Sequence, residues 1–444
     1  MIVVLGGGPA GRIASIRLAS GGKEVYLIEN GGIGGQCLHF GCMPVCALND
    51  TARLIHSAQT LHNLGIIDSI PKINFSKIIS EMHAIQEKIA SVLDAETKAA
   101  GVQIIYGKTG RLKNTKVFAG DEQMDADAII AATGSRPNIP NIRGIDLEGV
   151  YTPHTLFNKK DLPKKIAIIG GNVMAAEFAY IFSMFGSEVT ILSRSTFLKN
   201  ADKHLRAIAI RQLKDVNIRE CVNVQSIEGD FEVHSLNIQS SGKGERLDTD
   251  AVLLAAGLIP RSDMLDGITK GPVGEVIVNE RMQTSVPNVY ACGDVTGPPY
   301  LTPVARYQGI VAADNILGID RTMDYRYIPQ SMNLGHELAF CNSGNENTAS
   351  LAIPGPAGPG TFWSVPSGDT GLAKVMFEPE TGIIRGICAA GPGGGLIAGY
   401  IAFLMKRHFS IHDFEEFIEV HPSTDGIYGL AKYASELMKK RNKS

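Results

Sequence analysis

An apolar run, a glycine cluster, a helical pattern and a second apolar run follow one another at the start of the chain, and the same order returns near residue 164. In the first copy, Ile2–Leu5 reads as a strand, Arg12–Ser20 as a helix and Glu24–Glu29 as a second strand. In the second, KKIAIIGGNVMAAEFAYIFSMFGSEVTILSR repeats the plan. Such units demand parallel strands covered by helices, with the glycine turn aimed out from the strand ends. A strand-to-turn ending also recurs, AIIAATG at 128–134 and AVLLAAG at 251–257, which makes Gly134 and Gly257 candidate ligand-side turns. Two copies of a nucleotide-binding unit are the simplest account.

In LGGGPAG the spacing G-x-G-x-x-G is met by Gly6, Gly8 and Gly11. The first permits a tight turn, the second lets backbone amides approach a pyrophosphate, and the third lets the helix pack on the strand. Glu29 closes the second strand, where a carboxylate can hold a ribose hydroxyl. Glycine turns also serve plain packing, but strand, helix and acid in register point to a dinucleotide site. The second copy is degenerate: Gly170 fills the first position, Asn172 the second and Ala175 the third. Asn172 is expected to bring side-chain atoms close to the phosphates and to weaken or reshape the site. Ser193 stands where an acid would favour NADH, and Arg194 follows with Lys199 nearby. Cations there suit the 2′-phosphate of NADPH; the plainer account is a solvated loop.

A length of 444 residues suggests several domains, and a net charge of −3 argues against nucleic acid or an anionic membrane as the main partner. MIVVLGGGPAG has no basic leader, and GGGLIAGYIAFLM is too short and glycine-rich to span a bilayer, so a cytoplasmic protein is expected. Residues 75–100 read as a long amphipathic helix, 103–107 as a strand and 111–127 as a small hairpin layer. After about residue 330 a PGPAGPG loop, a meander over 373–389 and two closing helical patterns suggest a separate α+β unit.

Three of the seven cysteines, Cys37, Cys42 and Cys46, fall in GGQCLHFGCMPVCALND. In a reducing compartment such a cluster is catalytic or metal-binding. Its spacing, with no second Cys/His pair nearby, is poor for tetrahedral zinc, and no metal site is expected. Cys221, Cys341 and Cys388 are scattered and read as structural, and Cys292 as a small strand-end residue.

Taken in order, LGGGPAG, GGQCLHFGCMP, ATGSRP, GGNVMAAEFA, AAGLIPRSD, ACGDV and HPSTDG resemble the FAD-dependent pyridine nucleotide-disulfide oxidoreductases, in the dihydrolipoamide dehydrogenase and mercuric reductase branch. The resemblance implies an α/β fold with two Rossmann-like nucleotide-binding domains and a C-terminal α+β dimerisation domain. The FAD domain would be split over 1–146 and 268–325, with the NAD(P) domain at 147–267 and the dimerisation domain at 326–444. It further implies FAD and NAD(P)H as cofactors, a homodimer with an active site shared across subunits, and a small-molecule or lipoyl-type disulfide as substrate. Gly6, Gly8, Gly11 and Glu29 would hold the ADP half of FAD, and Asp294 would meet the flavin side. Gly35, Gln36, Gly110, Thr133 and Gly134 would line the cofactor, and Glu177 matches a carboxylate near the flavin at the nicotinamide face.

By the same resemblance Cys42, at a helix start that should favour its thiolate, is the flavin-facing thiol. Cys37 is then the interchange thiol, and His421 of the partner subunit moves the proton. Three departures stand out. Cys46 occupies the position where the family carries a Lys that pairs with the acid matched by Glu177. It reads as a small buried hydrophobe or as a third redox thiol. The family's His-Pro-x-x-x-Glu pattern is broken, with Gly426 in the Glu position and Asp425 one place early, either a substitute acid or a helix cap. His39, between the redox cysteines, is either a proton carrier or a residue at the site's mouth. The last cysteine is Cys388, so the C-terminal cysteine pair of mercuric reductases is missing. An electron-transfer module serving a protein partner, or a reductase of another small disulfide, stays open beside the lipoamide reading.

Overall fold

The computed structural model describes every residue except 114, 160, 343–347, 354–361, 363, 367–369, 422 and 442–444; the expected PGPAGPG loop lies outside the described residues. The chain opens with β1 (Ile2–Leu5), α1 (Pro9–Ser20) and β2 (Val25–Glu29). The helix begins earlier than its apolar pattern, because Pro9 fits the first turn, where its missing N–H costs no hydrogen bond. Next come α2 (Gly35–His39), α3 (Cys42–Asn63), α4 (Phe75–Ala99) and β3 (Gln103–Tyr106). The polar region forms three antiparallel strands, β4 (Gly110–Lys113), β5 (Lys116–Ala119) and β6 (Glu122–Met124), before the fully buried β7 (Ala128–Ala131).

A short strand, β8 (Ser135–Pro137), leads out to the second unit, which comprises β9 (Val150–Tyr151), β10 (Lys165–Ile169), α5 (Val173–Phe185), β11 (Glu188–Leu192), α6 (Lys203–Gln212) and β12 (Asn217–Arg219). An antiparallel layer of β13 (Val222–Glu228), β14 (Ser235–Ser240) and β15 (Lys243–Asp248) precedes β16 (Ala251–Leu254). The chain returns through β17 (Leu258–Pro260), antiparallel to β8 with Ile259 opposite Arg136, and then adds β18 (Val289–Ala291) and α7 (Thr302–Ile316).

Both large sheets of these units are parallel, in the orders β18-β7-β1-β2-β3 and β12-β11-β10-β16-β9. In each, the strand bearing the glycine turn lies between neighbours reached in opposite directions, so a crevice opens beyond its carboxyl end. In α5, Phe178, Tyr180 and Phe182 are buried in one cluster with Leu48 and Ala52 of α3 and with β10. That packing sets α3, which begins at Cys42, against the second unit.

The last unit is an antiparallel sheet, β19 (Gln330–Asn333), β20 (Glu337–Asn342), β21 (Ala349–Ile353), β22 (Leu372–Phe377) and β23 (Ile384–Gly391), in the order β19-β20-β23-β22-β21. Its helices α8 (Gly394–Lys406) and α9 (Gly426–Arg441) bury Ile401, Met405, Leu430 and Ala434 against Val375 and Ile387. No helix among the described residues is long and apolar enough to cross a membrane.

Candidate active site

Beyond the carboxyl end of β1 opens a cavity of about 770 Å³ lined by Gly6, Gly8, Glu29, Gly35, Gln36, Gly110, Thr133, Gly134 and Asp294, together with Cys37 and Cys42. Gly11 is absent from that wall. A Cβ on Gly11 would run into the Gly6 carbonyl oxygen, so its role is to let α1 close on the turn. Gly8 is different. The atom nearest to a Cβ there is Gly35 Cα at 3.9 Å, and the space it would fill belongs to the cavity. Glu29 accepts the Gly7 N–H at 2.6 Å and the Gly31 N–H at 2.7 Å, which holds its carboxylate at the strand end. Asp294 accepts the Ser135 hydroxyl at 2.6 Å, and burial raises its carboxyl above the usual range. A bare backbone cradle and an acid at the end of β2 fit the ADP half of FAD.

The redox helix starts where the cysteine spacing suggests. Cys37 lies on α2 and Cys42 is the first residue of α3, after Gly41. Both are free thiols at the cavity wall. Cys42 Sγ also lies 3.7 Å from Thr302 Oγ1, at the start of α7. Cys37 is lowered to about 6 by Cys42 beside it, with help from Thr302 and Arg306. The same contact, together with burial, pushes Cys42 up.

Cys46 corrects another expectation: it is exposed on the chain, not buried. Partial desolvation raises its thiol first, with Cys42, Glu177 and Asp50 adding to the effect. Glu177 faces α3 and accepts the Asn333 backbone N–H at 2.8 Å, and burial lifts its carboxyl to about 7. His39 lies on the cavity wall with Nε2 3.1 Å from the Ile33 carbonyl, a bond that ties down the loop before α2. His154 gives no signal in the sequence, yet it stacks on Phe40 at 4.4 Å and its Nε2 meets Gln36 Oε1 at 3.0 Å. Burial and Arg261 lower it to about 4, so it is a neutral donor there. Thr302, Arg306 and His154 reach the site from distant segments, and no local pattern marks them.

A second cavity, also about 770 Å³, opens beyond β10 and is lined by Gly170, Asn172, Ser193, Arg194 and Lys199. Asn172 does not turn its side chain to a phosphate. It caps α5, accepting the Ala175 N–H at 3.0 Å and donating to the Ala255 carbonyl at 3.0 Å. Ser193 is buried and donates to the Ser195 carbonyl at 2.7 Å, while Arg194 and Lys199 are exposed at the rim. Ala175, Glu177 and Gly257 do not line this cavity. Gly257 instead accepts the Asn138 N–H at 2.9 Å, beside the β8–β17 ribbon.

His421 lies apart from both cavities, with its side chain 72% exposed. Its Nδ1 is 2.6 Å from Asp425 Oδ2, so the acid one place early reaches the imidazole. Among the described residues no group of three His, Cys, Asp or Glu side chains could hold a metal ion.

The chain is similar to dihydrolipoyl dehydrogenase of Bacillus subtilis, 29% identical over 454 aligned positions that cover 95% of each chain. Among solved structures, LpdA from Mycobacterium tuberculosis superposes with a TM-score of 0.86 at 22% identity, covering 98% of this chain and 99% of that one. The HOCl-induced flavoprotein disulfide reductase RclA from Escherichia coli superposes at 0.85 and 24%, covering 97% and 99%. These two likenesses carry the fold. The family model described as pyridine nucleotide-disulphide oxidoreductase matches residues 1–309. With that match, the glycine cradle and the paired thiols at one cavity, the chain is a flavoprotein oxidoreductase of the pyridine nucleotide-disulphide oxidoreductase family.

Proposed function

We propose that the protein is a homodimeric NAD(P)H-linked reductase that exchanges electrons with a small disulfide of the lipoamide type through Cys37 and Cys42. The carrying observation is the thiol pair itself, Cys37 and Cys42 together on the wall of the dinucleotide cavity, with Cys37 lowered to about 6. Gly6, Gly8, Glu29 and Asp294 would hold FAD, which when bound supplies a two-electron relay between a nicotinamide and this pair.

The Cys37 thiolate attacks one sulfur of the substrate disulfide, forming a mixed disulfide and releasing a thiolate that takes a proton from His421 of the partner subunit. Cys42 then attacks Cys37 and releases the second thiol, so two electrons have passed to substrate and Cys37–Cys42 is a disulfide. Reduced nicotinamide restores the dithiol. Asp425 at His421 Nδ1 would fix the tautomer that presents Nε2, and so supplies the carboxylate whose absence motivated a pure electron-transfer module. Exposed Leu396, Tyr400 and Phe403 on α8, with Ile418 and Val420 beside His421, give an apolar face for a second copy. Arg194 and Lys199 at the second cavity favour NADPH. We place the enzyme in the cytoplasm, where dithiols stay reduced.

The test is an anaerobic titration of the purified protein with NADH and NADPH in parallel, followed by lipoamide. A thiolate-to-flavin charge-transfer band and lipoamide turnover are expected, the turnover lost in Cys37→Ser and the band in Cys42→Ser, each with flavin still bound. Flavin reduction without turnover on any small disulfide would sink this reading, and an equal response to both nucleotides would sink the NADPH preference.

A further inference from the structure

Two helices flank the redox pair, and both hold the same turn, residues 333–336 between β19 and β20. From α5, Glu177 Oε1 accepts the Asn333 backbone N–H at 2.8 Å and lies 3.4 Å from its side-chain Nδ2. From α3, Arg53 Nε donates to the Leu334 carbonyl at 2.7 Å, and Asn49 Nδ2 joins it at 3.2 Å. Adjacent residues of one turn are thus gripped by an acid on one side and a guanidinium on the other.

The guanidinium has capacity left over. Its Nη1 approaches only the exposed Asp50, at 3.9 Å, and Nη2 is buried with no hydrogen-bond partner among the described residues. A buried charged donor without a partner is costly, and an anion across the turn is the compensation the geometry offers. Cys46 and Arg53 are seven residues apart on α3, two turns along one face. Arg53 therefore stands on the side of α3 that carries Cys42 and Cys46.

We propose that Arg53 is the positioning residue that supplies the counter-charge for Glu177 beside the redox cysteines, acting across the turn at Asn333 and Leu334. The inference rests on the reading of Cys37 and Cys42 as the redox pair. The groups that face Glu177 are Arg53, Cys42 and Cys46 from α3 and Asn333 from the turn. On its own helix stands Tyr180, whose hydroxyl is 2.9 Å from His56 Nδ1. Burial and Cys42 push the Glu177 carboxyl up, and Asn333 and Arg53 oppose them. With a value near neutrality, a modest change in the opposing charge decides whether the carboxyl holds a proton.

The experiment follows the buried carboxyl by pH-difference infrared spectroscopy of the purified flavoprotein, with Glu177→Gln identifying the band by its loss. Arg53→Met should move the midpoint upward by about one unit or more. The pH profile of flavin reduction by NADPH should move with it. Arg53→Lys should hold the midpoint, and Cys46→Lys added to Arg53→Met should bring it back. Should Arg53→Met fail to fold, Arg53→Gln removes the charge while keeping a donor for Leu334 and is expected to give the same shift. An unmoved midpoint in a folded, neutral Arg53 variant, or an equal shift in Arg53→Lys, overturns the proposal. An unmoved midpoint with full disulfide turnover defeats Arg53 alone, whereas a shifted midpoint in an enzyme that turns over no disulfide defeats the proposed function alone.

Discussion

The two glycine turns start from one plan and end with opposite uses of the backbone. At the first, Gly11 brings α1 against the Gly6 carbonyl and Gly8 leaves the cavity side bare. The amides at the head of α1 are open toward whatever fills the cavity. At the second, Asn172 caps α5 with its own side chain, and Ala175 replaces the third glycine. One donor there is already satisfied within the protein, so affinity must come from elsewhere, and Arg194 and Lys199 stand at the rim. A bare cradle suits a cofactor that stays, and a self-capped one suits a dinucleotide that must leave after each turnover.

The sharpest way to break this contrast is at the third position of each turn. Gly11→Ala should cost about 2–3 kcal/mol in urea unfolding, since its Cβ has nowhere to go. Ala175→Gly should cost only about 1 kcal/mol, the helix propensity of the residue. Equal losses would mean that the two helices approach their turns equally closely. At the middle position, Gly8→Ala should leave the unfolding midpoint of the apoprotein unchanged while weakening FAD binding by roughly tenfold or more, read by flavin release on dilution. Arg194→Ala should raise the KM for NADPH by about tenfold and leave that for NADH in place, the loss of one charge-assisted bond. The smallest effect is expected at Asn172→Gly. The fold should lose only a few tenths of a kcal/mol, and the freed Ala175 N–H should tighten nucleotide binding in a fluorescence titration. Weaker binding would show that Asn172 serves the ligand rather than the helix.

The repeated units were legible because hydrophobic period and glycine spacing are local properties, and Cys37 and Cys42 sit in one short segment for the same reason. Glu29 followed from its place at a strand end. Thr302, Arg306 and His154 were not legible, since only the tertiary fold carries α7 and the stretch before β10 to the thiols. At Asn172 two local rules compete, the phosphate-turn position and the helix N-cap, and the side chain serves the cap. The surroundings of the thiols are likewise tertiary: a helix start favours a thiolate at Cys42, while Thr302 and Arg306, brought in by α7, act on Cys37. Asp425 marks the opposite case: it stands one position away from the motif's acid, and the local turn still brings it to His421 Nδ1.

The ribbon of β8 and β17 carries the chain out of the first unit and back into it side by side, with Asn138 N–H on the Gly257 carbonyl and Arg261 N–H on the Gly134 carbonyl, each at 2.9 Å. Everything between leaves and re-enters the first unit at this one crossing, and it also packs on α3 through Phe178, Tyr180 and Phe182. A module joined in this way can be exchanged for another of similar end-to-end span only if it keeps the apolar face that α5 presents to α3. The unit that holds the second cavity can therefore be replaced as one piece, at the crossing and at one helix face, without touching the first glycine turn.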